Sequence, residues 1–160
     1  MRGLFGILLA VLIFLLSCAP REEHIRQIVH QELSEAQTIQ YITPGDVIGP
    51  YTPAVRVGSF LFVSGQIALD PNTGAMVQDN IEMETRQVLA NLNRVLKTAG
   101  YDSSTVVSAT VYLKNMNDYQ KVNQVYGQFF PADKYPARVA VEVSALPRQA
   151  NIEIAAIAYR

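Results

Sequence analysis

The stretch Asn80-Ile81-Glu82-Met83-Glu84-Thr85-Arg86-Gln87-Val88-Leu89-Ala90-Asn91-Leu92-Asn93-Arg94-Val95-Leu96-Lys97-Thr98-Ala99-Gly100 sets the frame for the rest of the chain. Its apolar residues Ile81, Val88, Leu89, Leu92, Val95, Leu96 and Ala99 follow the 3.6-residue period, and Gly100 stands where a helix is stopped. The spacing predicts an amphipathic helix with one buried stripe, and the neighbouring segments say what that stripe packs on. Upstream, Ala54 to Val57 and Phe60 to Val63 read as two strands joined through Gly58-Ser59 in a hairpin, and Asp70-Pro71-Asn72-Thr73-Gly74 has turn chemistry. Downstream, Val106 to Leu113 is β-branched and aromatic, hence a strand. Met116, Tyr119, Val122, Val125, Tyr126 and Phe129 then recur at three and four, so a second helix precedes Pro131. Arg138 to Ser144 and Asn151 to Tyr159 alternate as two further strands around Leu146-Pro147. With Ile39-Gln40-Tyr41-Ile42 ahead of the first hairpin, the order strand, hairpin, helix, strand, helix, hairpin predicts an α+β domain of about 120 residues, a single sheet with two helices packed on one face.

Composition narrows the function. The 160 residues carry 13 Lys+Arg against 14 Asp+Glu, a net charge of -1, and show no basic stripe, so no nucleic-acid partner is expected. One cysteine excludes an internal disulfide framework and a thiolate metal cluster, and two histidines leave little for histidine chemistry. His24 and His30 are six apart, which is not metal-ligand spacing on one helical face. Neither a Gly-rich phosphate loop nor a nucleophile elbow is present.

Before the domain, one positive charge at Arg2 precedes an apolar run from Leu4 to Leu16, followed by Ser17-Cys18-Ala19-Pro20. Thirteen residues span about 20 Å as a helix, short of a hydrocarbon core, which fits a signal peptide over residues 1–17 better than an anchor. Leu15-Leu16-Ser17-Cys18 resembles the bacterial lipobox, which implies lipidation of Cys18 and a lipid-anchored protein of the cell envelope, on the periplasmic face of the outer membrane in a Gram-negative cell. Residues 18–38 then read as the lipidated N-terminus and a helical stalk, and residues 39–160 as the domain.

In the penultimate strand Val139, Val141 and Val143 are expected under the helices, with Arg138, Ala140, Glu142 and Ser144 on the opposite face. In the last strand Ile152, Ile154, Ala156 and Ala158 form the apolar side and leave Glu153 opposite. If these strands form a hairpin about Pro147 and Arg148, Arg138 and Glu153 share the open face roughly 13 Å apart at ~3.3 Å per residue. A small carboxylic acid and one water fit between them.

Ile48-Gly49-Pro50-Tyr51, Val63-Ser64-Gly65-Gln66, Asn117-Asp118-Tyr119, Val122-Asn123, Pro136-Ala137-Arg138, Val141-Glu142-Val143, Leu146-Pro147 and Ile152-Glu153-Ile154 together resemble the Rid family, the YjgF-type imine and enamine deaminases. The resemblance runs from about Tyr41 to Arg160. It implies a chorismate-mutase-like fold, a homotrimer with inward-facing sheets and sites between subunits. It also implies hydrolysis of small 2-imino acids, formed from 2-enamino acids, to 2-keto acids and ammonia, with no cofactor and no metal.

Carried onto this chain, the resemblance makes Arg138 the grip for the substrate carboxylate and Glu153 the group that activates water. A guanidinium fork is always charged and matches a carboxylate bidentately. Tyr51 and Ser64 match pocket positions, Gly65 a point of close backbone approach, and Asn123 a polar residue given by the neighbouring subunit. Ala140 stands where many members carry a reactive cysteine. The competing expectation is a non-catalytic module on the same fold, binding a small ligand or acting as an envelope chaperone, distinguished by ligand binding without turnover.

Overall fold

The structure is a computed structural model that describes residues 21–31 and 38–160. The signal-peptide and lipidation readings, Cys18 included, lie outside the described residues. Residues 21–31 form an exposed helix, α1, within the segment read as a stalk. The unit Ile39–Arg160 is compact by itself.

That unit contains β1 (Ile39–Ile42), β2 (Ala54–Val57), β3 (Phe60–Gln66), α2 (Ile81–Thr98), β4 (Val106–Leu113), α3 (Tyr119–Phe129), β5 (Ala137–Glu142) and β6 (Ile152–Tyr159). The six strands make one sheet in the order β1-β2-β3-β6-β4-β5. Every neighbouring pair is antiparallel except β4 and β5, which are parallel and joined through α3. A parallel pair needs such a crossover. The β2–β3 hairpin turns at Gly58, whose φ of 56° favours a residue without a Cβ.

Helix α2 ends where its chemistry says. Asn80 caps it by accepting from the Met83 amide at 2.9 Å, Glu82 and Glu84 sit in the first turn and Lys97 in the last, and Gly100 follows at φ 79°. Its buried stripe of Val88, Leu89, Leu92, Val95 and Leu96 covers Leu61, Val63, Ile152, Ile154 and Ala156 of the sheet in one core.

Two polar ties fix α2 against the strands. Asn91 Nδ2 donates to the carbonyls of Ile67 and Leu69 at 2.9 and 2.8 Å, just beyond β3. Glu84, fully buried, accepts from the Asn151 amide at 2.7 Å and from Asn151 Nδ2 at 2.8 Å, just before β6. Both ties hold segments adjoining the pocket described below.

The expected hairpin between the last two strands does not form, because β4 lies between β5 and β6. Nine residues, 143–151, arch over the end of β4, tied down by Val143 N to Leu113 O at 2.9 Å and Lys114 N to Asn151 O at 2.8 Å. The central place goes to β6, whose helix side is wholly apolar, while β5 takes the edge. The faces of β5 are also inverted relative to expectation. Arg138 pairs with buried Ala109 and Ala140 with buried Val111, so both face the helices, whereas Val139 and Val141 are 52% and 38% exposed.

A two-part candidate site

Ser64 and Gly65 lie in a β-bulge, for β3 spends three steps from Val63 to Gln66 while β6 spends two from Ala156 to Ile154. A bulge bends a strand and re-aims its side chains. Ser64 Oγ donates to Thr52 O at 2.7 Å, and its amide donates to Pro53 O at 3.0 Å, pinning the bulge to the segment that brings Tyr51 alongside. The result is a pocket of about 340 Å³ lined by Tyr51, Ser64, Gly65 and Glu153, with Ile48, Ile67 and Pro147 as apolar walls.

Glu153 fills the space that Gly65 leaves. A Cβ on residue 65 would stand 1.7 Å from Glu153 Oε1, so only glycine permits this position of the carboxylate. The Glu153 carboxylate accepts no hydrogen bond from any described residue, and partial burial raises its pKa above the ordinary 4.5. Such a carboxyl is suited to taking and returning a proton.

Arg138 sits elsewhere, in a cradle built by α3. Its Nη1 donates to Asn123 Oδ1 at 2.8 Å and its Nη2 to the Tyr119 hydroxyl at 3.1 Å, while Cζ stacks 4.6 Å from the Tyr126 ring centre. Two of the five guanidinium N–H groups are thus used and three remain. Tyr126 is only 4% exposed, its hydroxyl has no hydrogen-bond partner among the described residues, and burial pushes its pKa up to about 12 against the opposing pull of Arg138. Ala140 packs partly buried against the core on the same face as Arg138.

Of the residues singled out in the sequence, Tyr51, Ser64, Gly65 and Glu153 converge in the pocket, and Arg138 and Asn123 converge in the cradle. The halves do not meet within one chain. Arg138 pairs with Ala109 and Glu153 with Tyr112, three residues apart on β4 and on opposite faces of the sheet. The expected approach of Arg138 to Glu153 on one open face is therefore corrected. It assumed that strands adjacent in sequence pair, and that the valines of β5 were its inward row.

Tyr119 and Tyr126 are cradle residues that the pattern reading absorbed into the helix core. The signal was present, since residues 119, 123 and 126 fall on one stripe at i, i+4 and i+7. Among the described residues no three His, Cys, Asp or Glu side chains converge as a metal site.

Comparison with known proteins places the fold in a family. A RutC family protein of Pyrococcus horikoshii is 54% identical over 113 residues, covering 71% of this chain and 89% of its own. The 2-iminobutanoate/2-iminopropanoate deaminase of Homo sapiens is 44% identical over 115 residues, covering 72% and 82%. The crystal structure of the YjgF gene product from E. coli superposes with a TM-score of 0.70 at 36% identity, covering 76% of this chain and 98% of that one. The family model described as Endoribonuclease L-PSP matches residues 42–160, and the chain belongs to that family, the Rid/YjgF proteins.

Proposed function

We propose that the protein hydrolyses 2-imino acids, in exchange with 2-enamino acids, to 2-keto acids and ammonia, in sites assembled between copies of the chain as a homotrimer. One observation carries this reading. A guanidinium with unspent donors and an unpaired, half-buried carboxylate sit on opposite faces of one sheet, which supports a site in which another copy completes each half. The name of the human relative supports the choice of reaction.

In the assembled site Arg138 of one copy holds the substrate carboxylate, and Tyr51, Ser64 and Glu153 of the next surround C2. Water adds its oxygen to C2 of the iminium and gives one proton to Glu153, forming a carbinolamine. That proton passes to nitrogen, the C–N bond breaks and ammonia leaves. The hydroxyl proton is released, C2–O becomes the carbonyl, and the products are keto acid and ammonium. Imines already hydrolyse in water, so positioning plus one proton-transfer group supply the needed acceleration.

The test is keto-acid release from an imino acid generated in situ by an amino-acid oxidase. Acceleration is expected, and R138A should remove nearly all of it. Keto-acid binding without any acceleration would contradict the assignment and leave a binding module. The Leu15-Leu16-Ser17-Cys18 motif places the enzyme, in this proposal, on a membrane through a lipidated Cys18. C18S should then release the protein from the membrane fraction, and retention would contradict lipid anchoring.

A further inference from the structure

The pocket holding Glu153 is open on one side. It shares Ile48, Tyr51, Gly65 and Ile67 with a larger cavity of about 570 Å³ whose wall continues to Arg94 and Arg148. That volume is in the range of sites that enclose whole ligands, well beyond a methyl or ethyl side chain.

The charges along the wall are not equivalent. Arg94 is braced on the Pro44 carbonyl at 2.9 Å, two residues from Asp46, so these opposite charges share one wall. Asp70 is occupied by the amides of its own turn, Asn72 at 2.7 Å and Thr73 at 3.3 Å. The side chain of Arg148 has no hydrogen-bond or ion-pair partner among the described residues.

Arg148 is also held where its side chain is costly. Its φ is 56° and that of Gln149 is 58°, two successive non-glycine residues in the left-handed region. The turn is fastened by Ala150 N to Pro147 O at 3.1 Å and by Gln78 Nε2 to Gln149 O at 2.8 Å. It sets Pro147 against the Glu153 pocket and Arg148 against the larger cavity. Glycine would relieve the strain while removing the whole Arg148 side chain, stem and guanidinium together, whereas lysine keeps a positive charge on a similar stem.

We propose that Arg148 binds a second carboxylate at the far end of the substrate, so that 2-imino acids with an acidic side chain are the preferred class. This inference rests on the imine-hydrolase reading above, in which Arg138 of another copy takes the first carboxylate and C2 lies by Glu153. The side chain then runs past Tyr51 into the larger cavity toward a guanidinium that stays charged at every working pH.

Binding of the product keto acids to the full chain in detergent, by titration calorimetry, tests it. A dicarboxylic keto acid, 2-oxoglutarate, should bind at least tenfold more tightly than 2-oxobutanoate. R148G, which suits the backbone, should reduce that preference to twofold or less, and R148K should keep part of it. Equal binding of the two acids, or an undiminished preference in R148G, overturns the proposal. If 2-oxobutanoate binds in an Arg138-dependent way without a gain for 2-oxoglutarate, the site reading stands and this inference falls. If neither binds, both fall.

Discussion

Gly65 and Glu153 act as one unit. Because an added methyl would overlap the Glu153 carboxylate at 1.7 Å, G65A should displace the carboxylate and leave the fold, lowering kcat/KM on the order of 100-fold. Wild-type turnover in a folded G65A would show that the position of Glu153 is immaterial. The raised pKa of Glu153 has a defined sign. The fold favours the protonated carboxyl, so the linked stability is fully present below the unfolded pKa and is lost as pH rises through the folded one. Denaturant titrations across pH 4 to 8, at about unit steps, should show wild type losing stability relative to E153Q as pH rises. A constant difference would contradict the shift. E153Q should also slow hydrolysis by roughly 10²- to 10⁴-fold. At this scale the sequence was most legible, because the identities and spacing of Tyr51, Ser64, Gly65, Asn123, Arg138 and Glu153 form recognisable motifs. Tyr126 was not, since an aromatic at helical spacing reads as core until a guanidinium is found lying on it, and Tyr119, though part of a quoted motif, was given no role of its own.

Among elements, α2 is bound to the site by its buried polar groups. E84A would leave the part-buried Asn151 amide, adjoining β6, without its acceptor. A loss of about 1–3 kcal/mol is expected, measured by chemical denaturation, and a change under ~0.5 kcal/mol would show the tie to be incidental. The helices, the β2–β3 hairpin and β4 follow from periodicity and turn residues and are where the sequence places them. The pairing of β5 and β6 is not, because strand order is set by tertiary competition for the central position. Ile152, Ile154, Ala156 and Ala158 make β6 the better central strand, and the arch over Leu113 puts β5 beyond β4. The valines of β5 misled for a related reason. On an edge strand whose helix side is filled by the Arg138 cradle, the apolar row is the open one.

At the scale of the whole unit Ile39–Arg160, the sheet face away from α2 and α3 exposes Phe60, Phe62, Val139, Val141 and Tyr159, with Phe60 packed 4.9 Å from Tyr159 between ring centres. Contiguous exposed apolar surface is a common feature of interaction sites. If that face is where copies meet, F62K should dissociate the assembly to monomers by native mass measurement and abolish turnover together. Fully active monomers would refute an intersubunit site. The most direct test mixes two disabled chains. R138A lacks the guanidinium and E153Q the carboxylate that the proposed mechanism requires, so under that mechanism each alone should be inactive. In randomly mixed cyclic assemblies about one interface in four pairs an intact Arg138 with an intact Glu153, and about a quarter of wild-type imine hydrolysis should return. No recovery, with mixed assemblies confirmed by mass, would mean that Arg138 and Glu153 do not serve one site across two copies.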